Sequence, residues 1–410
     1  MSRVWFLVLA ACGGSSARVA PSPIGFEPLA RAACETRLMP ASPGLGPSRP
    51  HARWVRQLTG DWIYALSPDH NGGVIATHID GVVAVDRSGT TRWTRPVTVG
   101  PRTAVAIAGD GAAYVGLLSD RYDASARFRS ERGGVMRLDD CGQPTWMFHA
   151  QPQNSHTPAV GDDGTVYFAG HERMLADPER IFALRRDGSI AWAHVIGDVT
   201  SPVIADGDEI VFGTNSGAVI ALDRDGNVRW QTTPIASIVW NASRGPDGSI
   251  YAIYDGKLVA LDRDGRERWR QPIGSGATSP PVFAADGTIY LGGDRLSAFS
   301  PDGTRTWQLN LNGFVVLPVV ARDGTIFAAS ASAHDVGRVY AITPDGTIRW
   351  TYFTEQPGAL ALGGDNVLYV AAGRRIYALG ECSTSACEDD GTTLAALDES
   401  APVQARSEFR

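Results

Sequence analysis

The sequence predicts an all-β protein: an eight-bladed propeller of four-stranded blades, its ring closed by an N-terminal strand. Three observations predict it. A ten-residue unit recurs along the chain, as AVDRSGTTRW (84–93), ALRRDGSIAW (183–192), ALDRDGNVRW (221–230), ALDRDGRERW (260–269) and AITPDGTIRW (341–350), with looser copies RLDDCGQPTW (137–146) and AFSPDGTRTW (298–307). The residues that end these units, Trp93, Trp146, Trp192, Trp230, Trp269, Trp307 and Trp350, are 53, 46, 38, 39, 38 and 43 positions apart. An interval near ~40 is the length of one four-stranded blade. Between them runs a second motif, DGTVYFAG (163–170), DGSIYAIY (247–254), DGTIYLGG (286–293) and DGTIFAAS (323–330), with weaker copies at 72–78, 110–116, 208–213 and 365–370.

Each element has a local reason. The Asp-Gly and Asn-Gly pairs supply the positive-φ positions that tight hairpins require. Alternating Ile or Val with Tyr or Phe suits a pleated strand. The eighth blade is the informative one. RRIYALG (374–380) matches the third strand GRVYAIT (337–343) but no Trp strand follows it, whereas ARWVRQL (52–58) holds Trp54 and no third strand precedes it. Pairing these two segments makes eight Trp strands and removes the exposed edges of an open ring.

Composition bounds the function. The chain is 43% hydrophobic and 20% charged, enough for a large core. Of its net −7, residues 381–410 hold −5, from seven acids against Arg406 and Arg410. No basic field exists, so nucleic acid is not an expected partner.

Outside the propeller, residues 1–11 read as a signal peptide: Arg3 precedes the apolar run Val4–Ala11, which is too short to span a bilayer. The run ends in LAAC (9–12), which resembles a bacterial lipobox, and the resemblance implies a lipid on Cys12 and an anchored rather than spanning protein. Residues 12–51 read as the lipidated Cys and a flexible tether, rich in Pro, Ser, Gly and Ala; 381–410 is expected to be a disordered acidic tail. Four further cysteines, Cys34, Cys141, Cys382 and Cys387, allow three connectivities in an exported chain. Cys382 and Cys387 are close enough to pair locally, which would leave Cys34 to Cys141. No His stands beside them at metal-ligand spacing.

The repeat Ala-x-Asp-x-x-Gly-x-x-x-Trp resembles the tryptophan-docking motif of the quinoprotein, or PQQ-like, propellers, over about 52–380. The turn here is one residue shorter than the commonest form. The resemblance implies that Trp54, Trp93, Trp146, Trp192, Trp230, Trp269, Trp307 and Trp350 pack across blade interfaces. It says much less about function. With the lipobox, the tether and the eight blades, the architecture resembles the BamB-type lipoproteins of the outer-membrane β-barrel assembly machinery.

The candidate sites divide into chemistry and contact. The recurring Asp223, Asp225, Asp262, Asp264, Asp302 and Asp345 sit at turns, where a carboxylate accepts backbone N–H groups; a calcium loop would need further oxygen ligands and a distal Glu. A PQQ- and Ca²⁺-dependent dehydrogenase would need a stacking aromatic, for which the off-register Trp62 and Trp240 are expected on innermost strands facing the channel. His149, His156 and His171 are expected in connections at one face. No hydrolase or nucleotide motif stands in a supporting context. Departures from the repeat point to contact: the insertion 117–134 carries Arg121, Tyr122, Arg127, Phe128 and Arg129, the insertion 171–180 begins at His171, and a smaller one lies at 331–337. Insertions on one face of a propeller often mark its binding face, and Arg and aromatics favour interfaces. The expectation is a non-catalytic envelope lipoprotein without cofactor, a protein-interaction scaffold facing the periplasm, with an outer-membrane barrel-assembly protein as partner. The alternatives are the quinoprotein dehydrogenase and a propeller that binds a glycan or small molecule.

Overall fold

The computed structural model describes residues 44–381 and the backbone of Phe26–Pro28, apart from 60–61, 98–102, 118–133, 151–156, 172–178, 198, 200–203, 234–238, 240, 275, 277–278 and 332–335. All regular elements among the described residues are strands.

They form eight antiparallel sheets, each built from strands consecutive in the chain save two, which also take a strand from the N-terminal part of the chain. Blade 1 comprises Ile63–Pro68, Val74–His78, Gly81–Val85 and Thr91–Pro96; blades 2 to 7 follow, ending in outermost strands Pro144–His149, Ile190–Val195, Val228–Gln231, Glu267–Pro272, Arg305–Leu309 and Ile348–Thr354. Blade 8 takes Pro357–Leu362, Leu368–Ala372 and Arg375–Glu381 from the end of the chain and Pro50–Gln57 from its beginning, paired from Pro50↔Glu381 to Gln57↔Arg375. The expected closure is thus present, with the closing strand starting two residues earlier than the repeat suggested.

The blade sheets are buried on both faces because each is sandwiched between two others. In blade 5, strand Ile250–Tyr254 alternates its side chains between neighbours: Ile250, Ala252 and Tyr254 join Val211, Val219 and Ala221 of blade 4, whereas Tyr251 and Ile253 join Ile289, Leu291 and Phe299 of blade 6. The same division holds round the ring, so the core is a set of interfaces between blades rather than one central cluster. Period-two alternation is what a strand needs to serve two neighbours at once.

Each interface carries a Trp wedge. Trp54 donates its Nε1–H to the carbonyl of Arg87 in the next blade at 2.9 Å, and Trp93 to Asp140 at 2.9 Å. Trp146, Trp192, Trp269 and Trp307 repeat this with Arg186, Arg224, Pro301 and Pro344. The ring lies over the glycine of the receiving turn: a Cβ on Gly142, whose φ is +69°, would stand 2.3 Å from Trp93 Cδ2. Glycine is therefore required there both by backbone conformation and by the indole above it. Behind the wedge stands the aromatic of the second strand in the same blade, as in Trp54–Tyr369, Trp146–Tyr114, Trp192–Tyr167 and Trp307–Tyr290, all with centroids 5.8–5.9 Å apart.

Two wedges depart from the pattern. Trp230 docks over Gly265 of blade 5, but its N–H turns to Glu209 Oε1 of its own blade at 3.1 Å. Glu209 stands where four other blades have Thr165, Ser249, Thr288 and Thr325, and its second oxygen holds Arg244 of the next blade. Trp350 has no following turn to dock on, because the outermost strand of blade 8 arrives from the N-terminus. It donates instead to the carbonyl of Pro47 at 3.1 Å.

Residues 44–49, expected as tether, are accordingly part of the ring surface. Gly44 N–H donates to Gly363 O at 3.2 Å and Leu45 N–H to Asn366 Oδ1 at 2.7 Å, while Ser48 Oγ–H donates to Glu381 Oε1 at 2.7 Å. Phe26–Pro28 adds a fifth strand to the outer edge of blade 2. Cys12, Cys34, Cys382 and Cys387 lie outside the described residues, as does the acidic tail beyond Glu381.

Candidate functional site

An antiparallel blade places its connections alternately at two ends of the ring. One end carries the Asp-Gly turns between first and second and between third and fourth strands. The other carries the second-to-third connections and the links between blades. These are called here the turn end and the loop end.

The turn end is occupied by its own hydrogen bonds. Asp223 Oδ1 accepts the N–H groups of Asp225 and Asn227 at 2.9 and 2.8 Å, and Asp262 Oδ1 those of Asp264 and Arg266 at 2.9 and 2.8 Å. Asp302 and Asp345 accept from Thr304 and Thr347 in the same way. These donors hold the carboxyls of Asp223, Asp302 and Asp345 below their ordinary range, with side-chain bonds from Asn227, Ser300 and Thr343 the largest causes. Asp264 differs: its carboxylate pairs with Arg266. Asp110, in a turn of blade 2, is bound by Arg137 at 2.9 Å and by Arg186 of the next blade. Burial opposes its ionisation, but the Ala112 N–H and the two guanidiniums outweigh it and its carboxyl lies below the usual range. This chemistry builds turns and joins blades.

Among the described residues no group of three His, Cys, Asp or Glu side chains converges as ligands for an ion. His149 is the last residue of an outermost strand, not part of a connection, and His171 likewise ends a strand. His156 lies outside the described residues. Trp62 stands one residue ahead of the innermost strand of blade 1 rather than within it, and is 41% exposed. Trp240 lies outside the described residues.

The loop end is where the repeat is broken. The expected insertions all leave from it: strand Ala113–Leu117 is followed by Gly134–Leu138, Val166–His171 by Glu179–Leu184, and Ile326–Ala331 by Gly337–Ile342. Arg121, Tyr122, Arg127, Phe128 and Arg129 lie outside the described residues, and so does the middle of each insertion. What the structure adds is an apolar surface at the same end. Phe314, Leu317, Val336 and Phe353 of blade 7 are 42–58% exposed. Phe314 pairs with Ala331, where the 331–337 segment departs, and Val336 precedes the strand to which it returns. Across that strand, the Arg338 guanidinium lies 5.8 Å from the Phe353 ring centre. One blade further on, Trp62 lies against Gly358, at the start of the innermost strand of blade 8: a Cβ there would be 3.1 Å from the indole nitrogen. The rim beside them is polar, with Arg375 paired to Glu355.

No short motif announces this surface, since its residues come from three separate stretches of sequence. The signal was the Trp307–Trp350 interval of 43, against 38 for two of its predecessors, which located the lengthened 331–337 segment.

Comparisons with known proteins agree with this architecture. The family model described as "Outer membrane protein assembly factor BamB" matches residues 78–238, 131–295, 234–313 and 254–400. No curated protein sequence matches. Among solved structures, BamB from Moraxella catarrhalis is similar with a TM-score of 0.63 at 18% identity, over 81% of this chain and 100% of that one. A europium-containing methanol dehydrogenase is similar with a TM-score of 0.62 at 13% identity, over 81% of this chain and 93% of that one. At such identities the solved structures establish the propeller fold, which an assembly factor and an oxidoreductase share. The family matches overlap from blade 1 through the last strand of the ring, and the chain belongs to the PQQ-like propeller family described as outer membrane protein assembly factor BamB.

Proposed function

We propose that this protein is a non-catalytic scaffold of the bacterial cell envelope, lipid-anchored through Cys12, whose loop end docks a protein partner in outer-membrane protein assembly. The observation that carries the reading is the exposed apolar surface of Phe314, Leu317, Val336 and Phe353, backed by Arg338. Exposed apolar residues gathered at one end of a blade beside a polar rim fit an interaction site, and aromatics with an adjacent Arg are what interface energetics favours. It lies at the same end as the 117–134 and 171–180 insertions, so one partner can touch blade 7 and the decorated blades 2 and 3 together. The likeness to a solved BamB supports the same role.

The test is photo-cross-linking from position 336 or 353 in intact envelopes, followed by identification of the captured protein. Capture of an outer-membrane barrel-inserting protein supports the reading, and capture that is equally efficient from a turn-end position such as 225 overturns it. The dehydrogenase reading is tested separately, by alcohol oxidation with added pyrroloquinoline quinone and Ca²⁺ or a lanthanide. Turnover there would replace the scaffold.

A further inference from the structure

The ladder of blade 6 is cut short at the loop end. In blade 5 the second strand, Ile250–Tyr254, pairs with the third, Lys257–Leu261, over five residues, from Ile250↔Leu261 to Tyr254↔Lys257. In blade 6 the corresponding strands are Ile289–Leu291 and Leu296–Phe299, and their pairing stops after three residues, at Leu291↔Ser297. The third strand stays joined to the outermost one beyond that point, through Leu296↔Leu309. The second strand does not follow, because the two glycines after it are held elsewhere. Gly292 N–H donates to Ser279 Oγ at 3.0 Å, and Gly293 O accepts the Val315 N–H of blade 7 at 2.7 Å.

The gap so left is a cleft of about 260 Å³. Ile273 and Leu291 supply its apolar lining, and Asp294, Arg295, Ser297 and Gln308 its polar lining. None of these six belongs to an innermost strand, so the cleft lies away from the ring axis.

Its polar groups are ordered but not saturated. Gln308 bridges two of them: its Nε2–H donates to Ser297 Oγ at 3.0 Å, and its Oε1 accepts the Arg295 Nη1–H at 3.2 Å. The Ser297 hydroxyl proton and the other guanidinium N–H groups of Arg295 are left to be donated. Asp294 has no hydrogen bond or ion pair among the described residues, and its carboxylate stands so close to the Gly276 backbone that a Cβ there has no room.

An acceptor-only carboxylate and a donor-only guanidinium, adjacent in sequence but not bonded to each other, thus line one small cleft. A hydroxyl group satisfies both at once, donating its proton to the first and accepting from the second, and both bonds are charge-assisted. The vicinal hydroxyls of a pyranose do this at two positions, with the C–H face of the ring against Ile273 and Leu291. The volume is below the ~300–1,000 Å³ of sites for drug-sized ligands, which suits a single ring.

We propose that the blade 6 cleft binds a saccharide, as one sugar unit of a larger glycan. Asp294, Arg295 and Ser297 bond its hydroxyls, and Gln308 positions Arg295. The site does not rest on the scaffold reading. It adjoins the blade 7 surface, since Gly293 is bonded to the residue after Phe314, so a glycan held here lies beside the region proposed to meet a protein.

Saturation-transfer NMR on the full-length protein tests this, with glucose, galactose, mannose and N-acetylglucosamine as probes at millimolar concentration. Leucine is the control, a zwitterion that also matches a carboxylate beside a guanidinium. The expected result is transfer to the ring protons of at least one sugar and none to leucine. Asp294→Ala should weaken the sugar ~10-fold or more, the loss of a hydrogen bond to a charged group. Its melting curve should stay near the parent's, because Asp294 is exposed, and the turn-end variant Asp225→Asn should bind like the parent. Transfer to no sugar, transfer undiminished in Asp294→Ala, or transfer to leucine that Asp294→Ala abolishes overturns the proposal. Partner capture from blade 7 is read separately, so the failure of either reading leaves the other standing.

Discussion

Trp350 donates its indole N–H to the carbonyl of Pro47, a residue 303 positions earlier in the chain. In six other blades this bond goes to the turn of the following blade, and here the N-terminal arm supplies the missing acceptor. The arm is thus the eighth turn of the ring. Deleting residues 44–57 is expected to leave Trp350 and the third strand of blade 8 uncovered, with a large fall in the thermal midpoint and binding of a hydrophobic dye. Trp350→Phe keeps an aromatic wedge, loses the bond at ~1 kcal/mol and leaves part of the indole's buried space empty, which adds to that cost. Equal melting of the deletion and the full chain would refute ring closure by this arm.

The positive-φ glycines should rank by what lies above them, the docking ones being the more costly to change. Gly142→Ala must accept positive φ and push a methyl into the Trp93 indole, whereas Gly207→Ala, at φ +57° with nothing within 4 Å, meets only the backbone cost. That cost is ~1 kcal/mol, and overpacking adds ~1–3 kcal/mol at Gly142. Denaturant midpoints of the two variants measure the difference, and equal midpoints would show that the indole yields freely.

Glu209 joins Trp230 and Arg244 across the interface of blades 4 and 5. Removing it as Glu209→Leu leaves a largely buried guanidinium with only the exposed Asp206 carboxylate at 3.3 Å and is expected to cost about 3 kcal/mol or less. The double variant Glu209→Leu, Arg244→Met should recover much of that loss in the same melting experiment, since most of the penalty belongs to the under-paired buried charge.

His78 gives the protein a pH dependence of known sign. Burial holds its pKa below the ordinary 6.5, against a smaller opposite effect of Asp80, and its Nδ1 accepts the Asp80 N–H at 3.3 Å. The unfolded chain therefore takes up the proton first as pH falls. The stability due to neutral His78 is whole above pH 6.5 and is lost below it, until the folded pKa is reached. His78→Gln should flatten this part of the acid limb when stability is measured from pH 7.5 to 5.

At the loop end, Phe353→Asp and Val336→Asp should leave the melting curve near that of the parent, because both positions are exposed. Partner capture should fall ~10-fold or more if they lie at the centre of the contact.

The blade count, the closing strand and the position of every wedge were legible because tandem repeats state the same interaction many times over. Each blade has its Trp, and most add a positive-φ glycine beneath it and an aromatic in the second strand, a combination few other solutions fit. What a single sequence concealed were the substitutes. Pro47 resembles no turn motif, since it acts only through its carbonyl. Glu209 diverts Trp230 by one hydrogen bond that no spacing reveals. Phe314, Val336 and Phe353 share one end of the ring only once all the strands of blade 7 are assembled, since they come from its innermost strand, the approach to its third and its outermost strand. Trp62 misled the strand assignment by one residue, because an aromatic just before a strand reads like part of it.

The strand Pro50–Gln57 has a consequence for the order of events in folding. It is delivered among the first parts of the ring, yet its lateral partner among the described strands, Arg375–Glu381, is the last. Closing so long a loop is slow, and until it happens Trp54 and an unpaired edge wait in solution. Blades 1 to 7 can each form from neighbouring sequence as they emerge. The first strand of the ring is the one that must wait for the whole chain.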